Sequence, residues 1–240
     1  MRILFITYCL FFFLPSLFFG QELLNIKGNE VDSLGRRQGL WKVYDVSGKL
    51  KFEGYFKDNI PYGELKYYYP NGKIKAVSKV YDDGRRARTK IFHQNGMLMA
   101  TGNYLNEQKD SIWTYYSEFD GIRLSEEIYE NTIKTGIWRT FYPDGKVAEE
   151  YTYKDGVKNG PWHQYFTDGS TKLEANYLNG ELQGMIIIKH LNGFVNVSGT
   201  YKDNFQDGIW MYFNDKGENT KKEIYSEGQL ISREIYKDEE

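Results

Sequence analysis

The sequence has one cysteine, five prolines and three histidines in 240 residues. The cysteine, Cys9, lies inside an apolar N-terminal segment. A chain that has lost that segment carries no thiol, which excludes disulfide staples, thiolate metal sites and cysteine nucleophiles. Charge of one sign is also lacking. There are 31 Lys+Arg against 33 Asp+Glu, with no long run of either. The basic stripe of a nucleic-acid binder is missing, and balanced charge gives no general attraction to anionic lipid. What is plentiful is glycine and rings: 24 Gly, 21 Tyr and 15 Phe. Tyr and Phe suit a pleated, half-buried surface, and glycine suits tight turns.

The first twenty residues differ from the rest. Arg2 opens them, Ile3 to Phe19 is almost wholly apolar, and Gly20-Gln21-Glu22 begins the polar chain. This is the layout of a secretory signal peptide over residues 1–20, cut after Gly20. Pro15 interrupts a helix near its end, which favours removal over the alternative of a retained anchor. Thr7-Tyr8 before Cys9 does not fit a lipoprotein signal. The expected location is therefore outside the cytoplasm: periplasm, cell surface or medium.

Self-similarity organises the remainder. Gly39-Leu40-Trp41, Gly136-Ile137-Trp138, Gly160-Pro161-Trp162 and Gly208-Ile209-Trp210 share a Gly-x-Trp start. Weaker copies begin at Gly63, Arg88, Ser111 and Gly184, giving steps of 24, 25, 23, 25, 24, 24 and 24 residues. In phase with them run mid-repeat turns such as Asn71-Gly72, Asn95-Gly96, Asp144-Gly145 and Asn192-Gly193. An aromatic residue before a second turn, from Phe56 to Tyr225, completes each copy. Asn-Gly and Asp-Gly favour positive φ at both central residues, which predicts type I′ hairpin turns. The segments between turns read as strands. The reading is all-β: an elongated, single antiparallel meander sheet of about eight tandem β-hairpin repeats, some sixteen short strands, with solenoid-like neighbour contacts.

Residues 21–38 form an N-terminal cap segment, 39–232 the repeat domain and 233–240 a charged C-terminal tail. Alternation puts Trp138, Thr140 and Tyr142 on one side and Ile137, Arg139 and Phe141 on the other. One aromatic ladder is expected to pack, and part of a second to stay exposed. Trp41, Trp113, Trp138, Trp162 and Trp210 recur in phase as that ladder. They are either the core plug of each hairpin or a binding platform for sugar rings. The stretch from Arg85 to Ser111 has lost the Gly-x-Trp frame, through drift or as a place where a partner docks.

The pattern G-x-W-x-x-Y-x-x-(N/D)-G-K, then an aromatic and K-D-G, resembles the bacterial variant of the MORN repeat. The fit is plainest at Gly136, Trp138, Phe141, Asp144-Gly145-Lys146 and Tyr153-Lys154-Asp155-Gly156. Proteins with this repeat are often labelled YwqK-like antitoxin. The resemblance implies a MORN-like solenoid of hairpins and an interaction role, and it supplies no catalytic residues.

No constellation for chemistry emerges. His93, His163 and His190 lack metal-ligand spacing. His93 falls in register with Tyr44 and Phe141 and reads as a substitute ring; His163 reads as exposed. Ser125 and Ser198 have no nucleophile elbow. Glu126-Glu127 and Glu149-Glu150 alternate faces and cannot share a site. The chain is read as a non-enzyme with no catalytic residue, no cofactor and no metal. An unidentified protein partner is expected, with a glycan or a toxin as the alternatives. Nucleic acid is not expected, nor is membrane contact after signal cleavage.

Overall fold

The computed structural model describes residues 28–236; the expected signal segment, Cys9 and residues 237–240 of the tail lie outside them. All the strands join one 19-stranded sheet. A two-residue strand, β1 (Glu30–Val31), lies against the edge of β2. The first four hairpins are β2–β3 (Arg37–Tyr44, Leu50–Lys57), β4–β5 (Ile60–Tyr68, Ile74–Tyr81), β6–β7 (Arg86–Phe92, Leu98–Leu105) and β8–β9 (Gln108–Tyr116, Arg123–Glu130). Next come β10–β11 (Ile133–Phe141, Val147–Lys154) and β12–β13 (Val157–Tyr165, Thr171–Leu178). In the seventh hairpin the first strand is split, β14 (Glu181–Leu182) and β15 (Gly184–Lys189), and pairs with β16 (Val195–Lys202). The eighth is β17–β18 (Phe205–Phe213, Asn219–Ser226), and β19 (Gln229–Ile235) pairs with β18. Every pairing is antiparallel and between neighbours in sequence, except that β13 pairs with both halves of the split strand, β14 and β15. The eight hairpins therefore stand, flanked by β1 and β19. No helix among the described residues is long and apolar enough to cross a membrane.

The two turn classes differ, and the type I′ expectation holds for only one. Between repeats both central residues have positive φ: Asp58 and Asn59 (53° and 70°), Asn131 and Thr132 (48° and 69°), Asn179 and Gly180 (51° and 91°). That is the type I′ signature. Within repeats only the glycine has positive φ, 81° at Gly72, while Asn71 does not. Gly72 N–H bonds Tyr69 O at 2.9 Å, and Tyr69 N–H bonds Lys73 O at 2.8 Å. This is a four-residue turn closed by a glycine bulge. Pro70 and Pro143 fit its second position, where φ is preset. Asn71 Oδ1 accepts the Lys73 N–H at 3.0 Å, so the Asx residue serves through its side chain.

The repeat-start glycines lie inside strands, where they make bulges. The β11–β12 register shifts between Tyr151 and Tyr153, opposite Gly160. Ser111 keeps the glycine geometry at φ 59°, with a shift between Thr101 and Asn103. The third copy is offset by one residue from the start expected at Arg88. Its start is Ala87, not Arg88, which makes both adjoining steps 24 residues. Arg88 and Lys90 are exposed on the wrong face for the tryptophan slot, and Thr89, fully buried, fills it. A one-residue slip flips every side chain. Ala87 keeps ordinary strand geometry, so β5–β6 is the hairpin junction with no register shift. His93 accordingly matches Tyr69 and Tyr142, not Tyr44 and Phe141.

Candidate binding surface

Residues two after each repeat start share one face, the ladder face. Each covers the residue eleven places earlier. Trp113 lies over Gly102, Trp210 over Gly199 and Leu65 over Gly54, so closely that a Cβ on any of these glycines would collide with it. Thr89 meets Ser78 through a 2.8 Å hydroxyl–hydroxyl hydrogen bond, both residues being buried. Trp162 stacks on Tyr151 with ring centres 5.7 Å apart and an 8° interplanar angle.

The five tryptophans of the sequence reading all lie on this face but in different settings. Trp113 is fully buried and Trp210 is 4% exposed. Trp113 Nε1 donates to Asn103 O at 3.0 Å. Trp41, Trp138 and Trp162 are half-buried. Trp41 Nε1 donates to Glu30 O, Trp138 Nε1 to Ile128 O and Trp162 Nε1 to Glu149 Oε1. Neighbouring groups lie against these rings, Arg37 at Trp41, Tyr153 at Trp138 and Tyr151 at Trp162. Lys134 Nζ sits 4.4 Å from the Trp138 ring centre, and Lys158 Nζ 3.4 Å from that of Tyr151, a spacing suited to cation–π attraction. Burial lowers the Lys158 ammonium pKa, Glu149 raises it and Lys134 lowers it further. Burial, and then Glu149, push the Tyr151 phenol far up.

The ladder packs into two apolar clusters. One joins Ala76, Ile91, Ala100, Tyr104 and Trp113; the other joins Leu173, Ile186 and Trp210. Between them, β9 to β12 contain no fully buried residue. Their ladder positions include Ser125, Glu127, Thr140 and Glu149. Glu149 Oε1 accepts from Tyr151 Oη, Trp162 Nε1 and Gln164 Nε2. Glu150 is on the other face, bonded by Arg139 at 2.6 Å. The adjacent carboxylates thus never converge.

The second face is open. One residue after each of the last five repeat starts lie Ile112 (53% exposed), Ile137 (38%), exposed Pro161, Met185 (65%) and Ile209 (53%). Register aligns these with Ile128, Thr152, Asn176, Thr200 and Ile224 in a row crossing the strands from β8 to β18. At about 4.8 Å per strand the row is roughly 40 Å long. Beside it Arg139 faces Glu150 as an ion pair, and the same register pairs Lys42 with Glu53 on β2 and β3. The sequence places Ile137 on this partly exposed side but does not single out the row it belongs to. The signal was there: an apolar residue in phase directly after the start position.

The histidines do not meet. His93 and His190 lie at the hairpin rim, their Nε2 atoms 3.3 and 3.0 Å from Tyr116 O and Phe213 O, as Tyr142 Oη bonds Tyr165 O. His163 is half-buried on the second face, not exposed. Among the described residues no three His, Cys, Asp or Glu side chains converge to hold a metal ion.

Three segments, residues 37–58, 61–83 and 134–155, match the family model for the MORN repeat variant. No curated protein matches the chain. Among solved structures, one titled "Crystal Structure of TarM" aligns at 14% identity and TM-score 0.30, over 39% of this chain and 20% of that one. The match spans a fifth of that protein's length.

Proposed function

We propose that this chain, whose hairpins include MORN-variant repeats, is an exported, non-catalytic binding module that holds a protein partner on its second face. The observation that carries the reading is the apolar row Ile112, Ile137, Pro161, Met185 and Ile209. Exposed apolar side chains recurring along one line, here spaced by Thr152, Asn176 and Thr200 and rimmed by polar groups, suit protein contact. The ladder face is less suited to stacking a ligand, because its rings already stack on each other and under lysines. Export rests on the apolar layout of residues 1–20.

The test is pull-down from cell envelopes with tagged protein, alongside the double variant Ile137→Glu, Ile209→Glu. The wild type is expected to retain a stable partner and the variant to lose it. Recovery of nothing above background by the wild type refutes the scaffold reading. Equal recovery by both refutes the placement on this face. N-terminal sequencing of the native protein is expected to begin at Gln21; an intact Met1 in the cytoplasm refutes export.

A further inference from the structure

Strands β4 to β6 carry four cations close together on the second face, with Glu53 opposite Lys66 and Glu64 opposite Lys79. Lys79 of β5 and Arg88 of β6 are direct cross-strand partners. Like charges placed directly opposite destabilise a sheet. Lys66 and Lys90 lie on the same face, on either side of Val77. None of these four cations takes part in an ion pair among the described residues. Glu64 is the other cross-strand neighbour of Lys79 and forms none either. The patch exists because Ala87 omits the bulge that other copies carry, so Arg88 stays aligned between Lys79 and Asn103. Lys79 and Arg88 border a shallow depression also lined by Tyr81, Thr101, Gly102, Asn103, Thr114 and, where it meets the apolar row, Ile112.

We propose that this depression binds an acidic saccharide, a sugar residue carrying a carboxylate or sulfate. The Arg88 guanidinium offers a planar fork to the oxyanion, and the Lys79 ammonium a second charge. The Thr101 hydroxyl and Asn103 amide supply donors and acceptors for sugar hydroxyls. Tyr81, 46% exposed, supplies an apolar ring for the sugar's C–H face. An extended acidic peptide fits less well. β5 and β6 are paired on both sides, so no free strand edge can take up a peptide backbone.

Titration calorimetry on the full chain tests this with tetragalacturonate, maltotetraose, tetraglutamate and phosphatidylglycerol vesicles. Tetragalacturonate is expected to bind, more weakly at high salt, and maltotetraose not to bind. Arg88→Gln and Lys79→Gln should each weaken uronate binding about tenfold or more. Tyr81→Ala should weaken it about threefold or more. Both charge variants relieve the like-charge pair and should keep or raise Tm, so lost binding cannot come from unfolding. Ile209→Glu, at the far end of the apolar row from Ile112, should leave uronate binding unchanged, which separates uronate binding from protein docking along the rest of the row. The proposal is overturned if Arg88→Gln or Tyr81→Ala binds as the wild type does, if tetraglutamate binds as tightly as the uronate, or if only the vesicles bind.

Discussion

Substituting Gly102 with alanine tests the packing rule of the ladder where it is tightest. Trp113 is fully buried directly over Gly102, and a Cβ there falls inside the indole. Overpacking of this kind costs about 1–3 kcal/mol. A displaced ring also gives up the Nε1 hydrogen bond to Asn103 O, worth about 1 kcal/mol. The expected loss is about 3 kcal/mol in all, which for a chain of this size lowers Tm by roughly 6–12 °C. The chain already contains a compensated version of the pair, since Ala175 lies under Ile186 at the same two positions. Trp113→Ile alone should cost about 3 kcal/mol through the cavity it leaves. Combined with Gly102→Ala, the total should fall short of the sum by about 1–2 kcal/mol, because the isoleucine accommodates the new methyl. Urea unfolding followed by far-UV circular dichroism on the four proteins gives the cycle. Losses that add within about 0.5 kcal/mol would refute the idea that each ladder residue is fitted to the one eleven places before it.

Two further substitutions probe the departures from the repeat. Ser111 holds φ at 59° in a slot where six other copies have glycine. Ser111→Gly should therefore stabilise by about 0.5–1 kcal/mol, read as a rise in Tm, and no rise would mean that the bulge is unstrained. Glu223 is 1% exposed, with Lys221 at 3.1 Å and Arg233 at 2.7 Å. Burial pushes its carboxyl pKa up, but hydrogen bonds from Tyr212, Lys221, Arg233 and Tyr225 outweigh this and hold it at about 2, below the ordinary 4.5. A depressed carboxyl pKa contributes stability that is present above the unfolded value and is lost as pH falls from there through the folded one. Glu223→Gln should thus be less stable than the wild type at pH 7 by about 2 kcal/mol. The two proteins should converge in urea titrations between pH 4.5 and 2; a constant gap would refute the assignment.

The hairpin count was legible because the turn residues are nearly explicit: Asp144-Gly145 and Asp155-Gly156 bracket β11 whatever the rest of the copy does. The turn type was not, because the same dipeptide serves two geometries. Loop length and the preceding residue decide between them. Pro70 and Pro143 marked the four-residue turn, since proline cannot take the positive φ that a type I′ centre needs. The third copy was misaligned because neither Ala87 nor Thr89 resembles glycine or tryptophan. Only a strict 24-residue step would have chosen them over Arg88 and Lys90. Gly54, Gly102 and Gly199 passed unnoticed for another reason. Their φ values are ordinary, so their role is room for a neighbouring side chain and not a turn.

A single-layer sheet has no second layer to cover it, so each hairpin must bury its rings on its neighbours. The ladder face does this by pairing a large residue with a small one eleven places before it, and where that pairing lapses, from β9 to β12, lysines and carboxylates fill in around the rings. The ring faces are thereby committed to stability. The second face carries no such constraint, and its composition is free to vary from copy to copy. It carries apolar residues from Ile112 onward and unpaired cations at Lys79 and Arg88. The same lapse at Ala87 and Thr89 produces both peculiarities of the third hairpin. Losing the glycine removes the bulge and sets Arg88 against Lys79, and losing the tryptophan leaves a buried Thr89–Ser78 hydrogen bond beneath them. A hairpin that had merely drifted would be expected to shed the unfavourable charge pair, because a single substitution at either position relieves it; its presence, with neither cation in an ion pair, is what marks Lys79 and Arg88 for an anionic ligand.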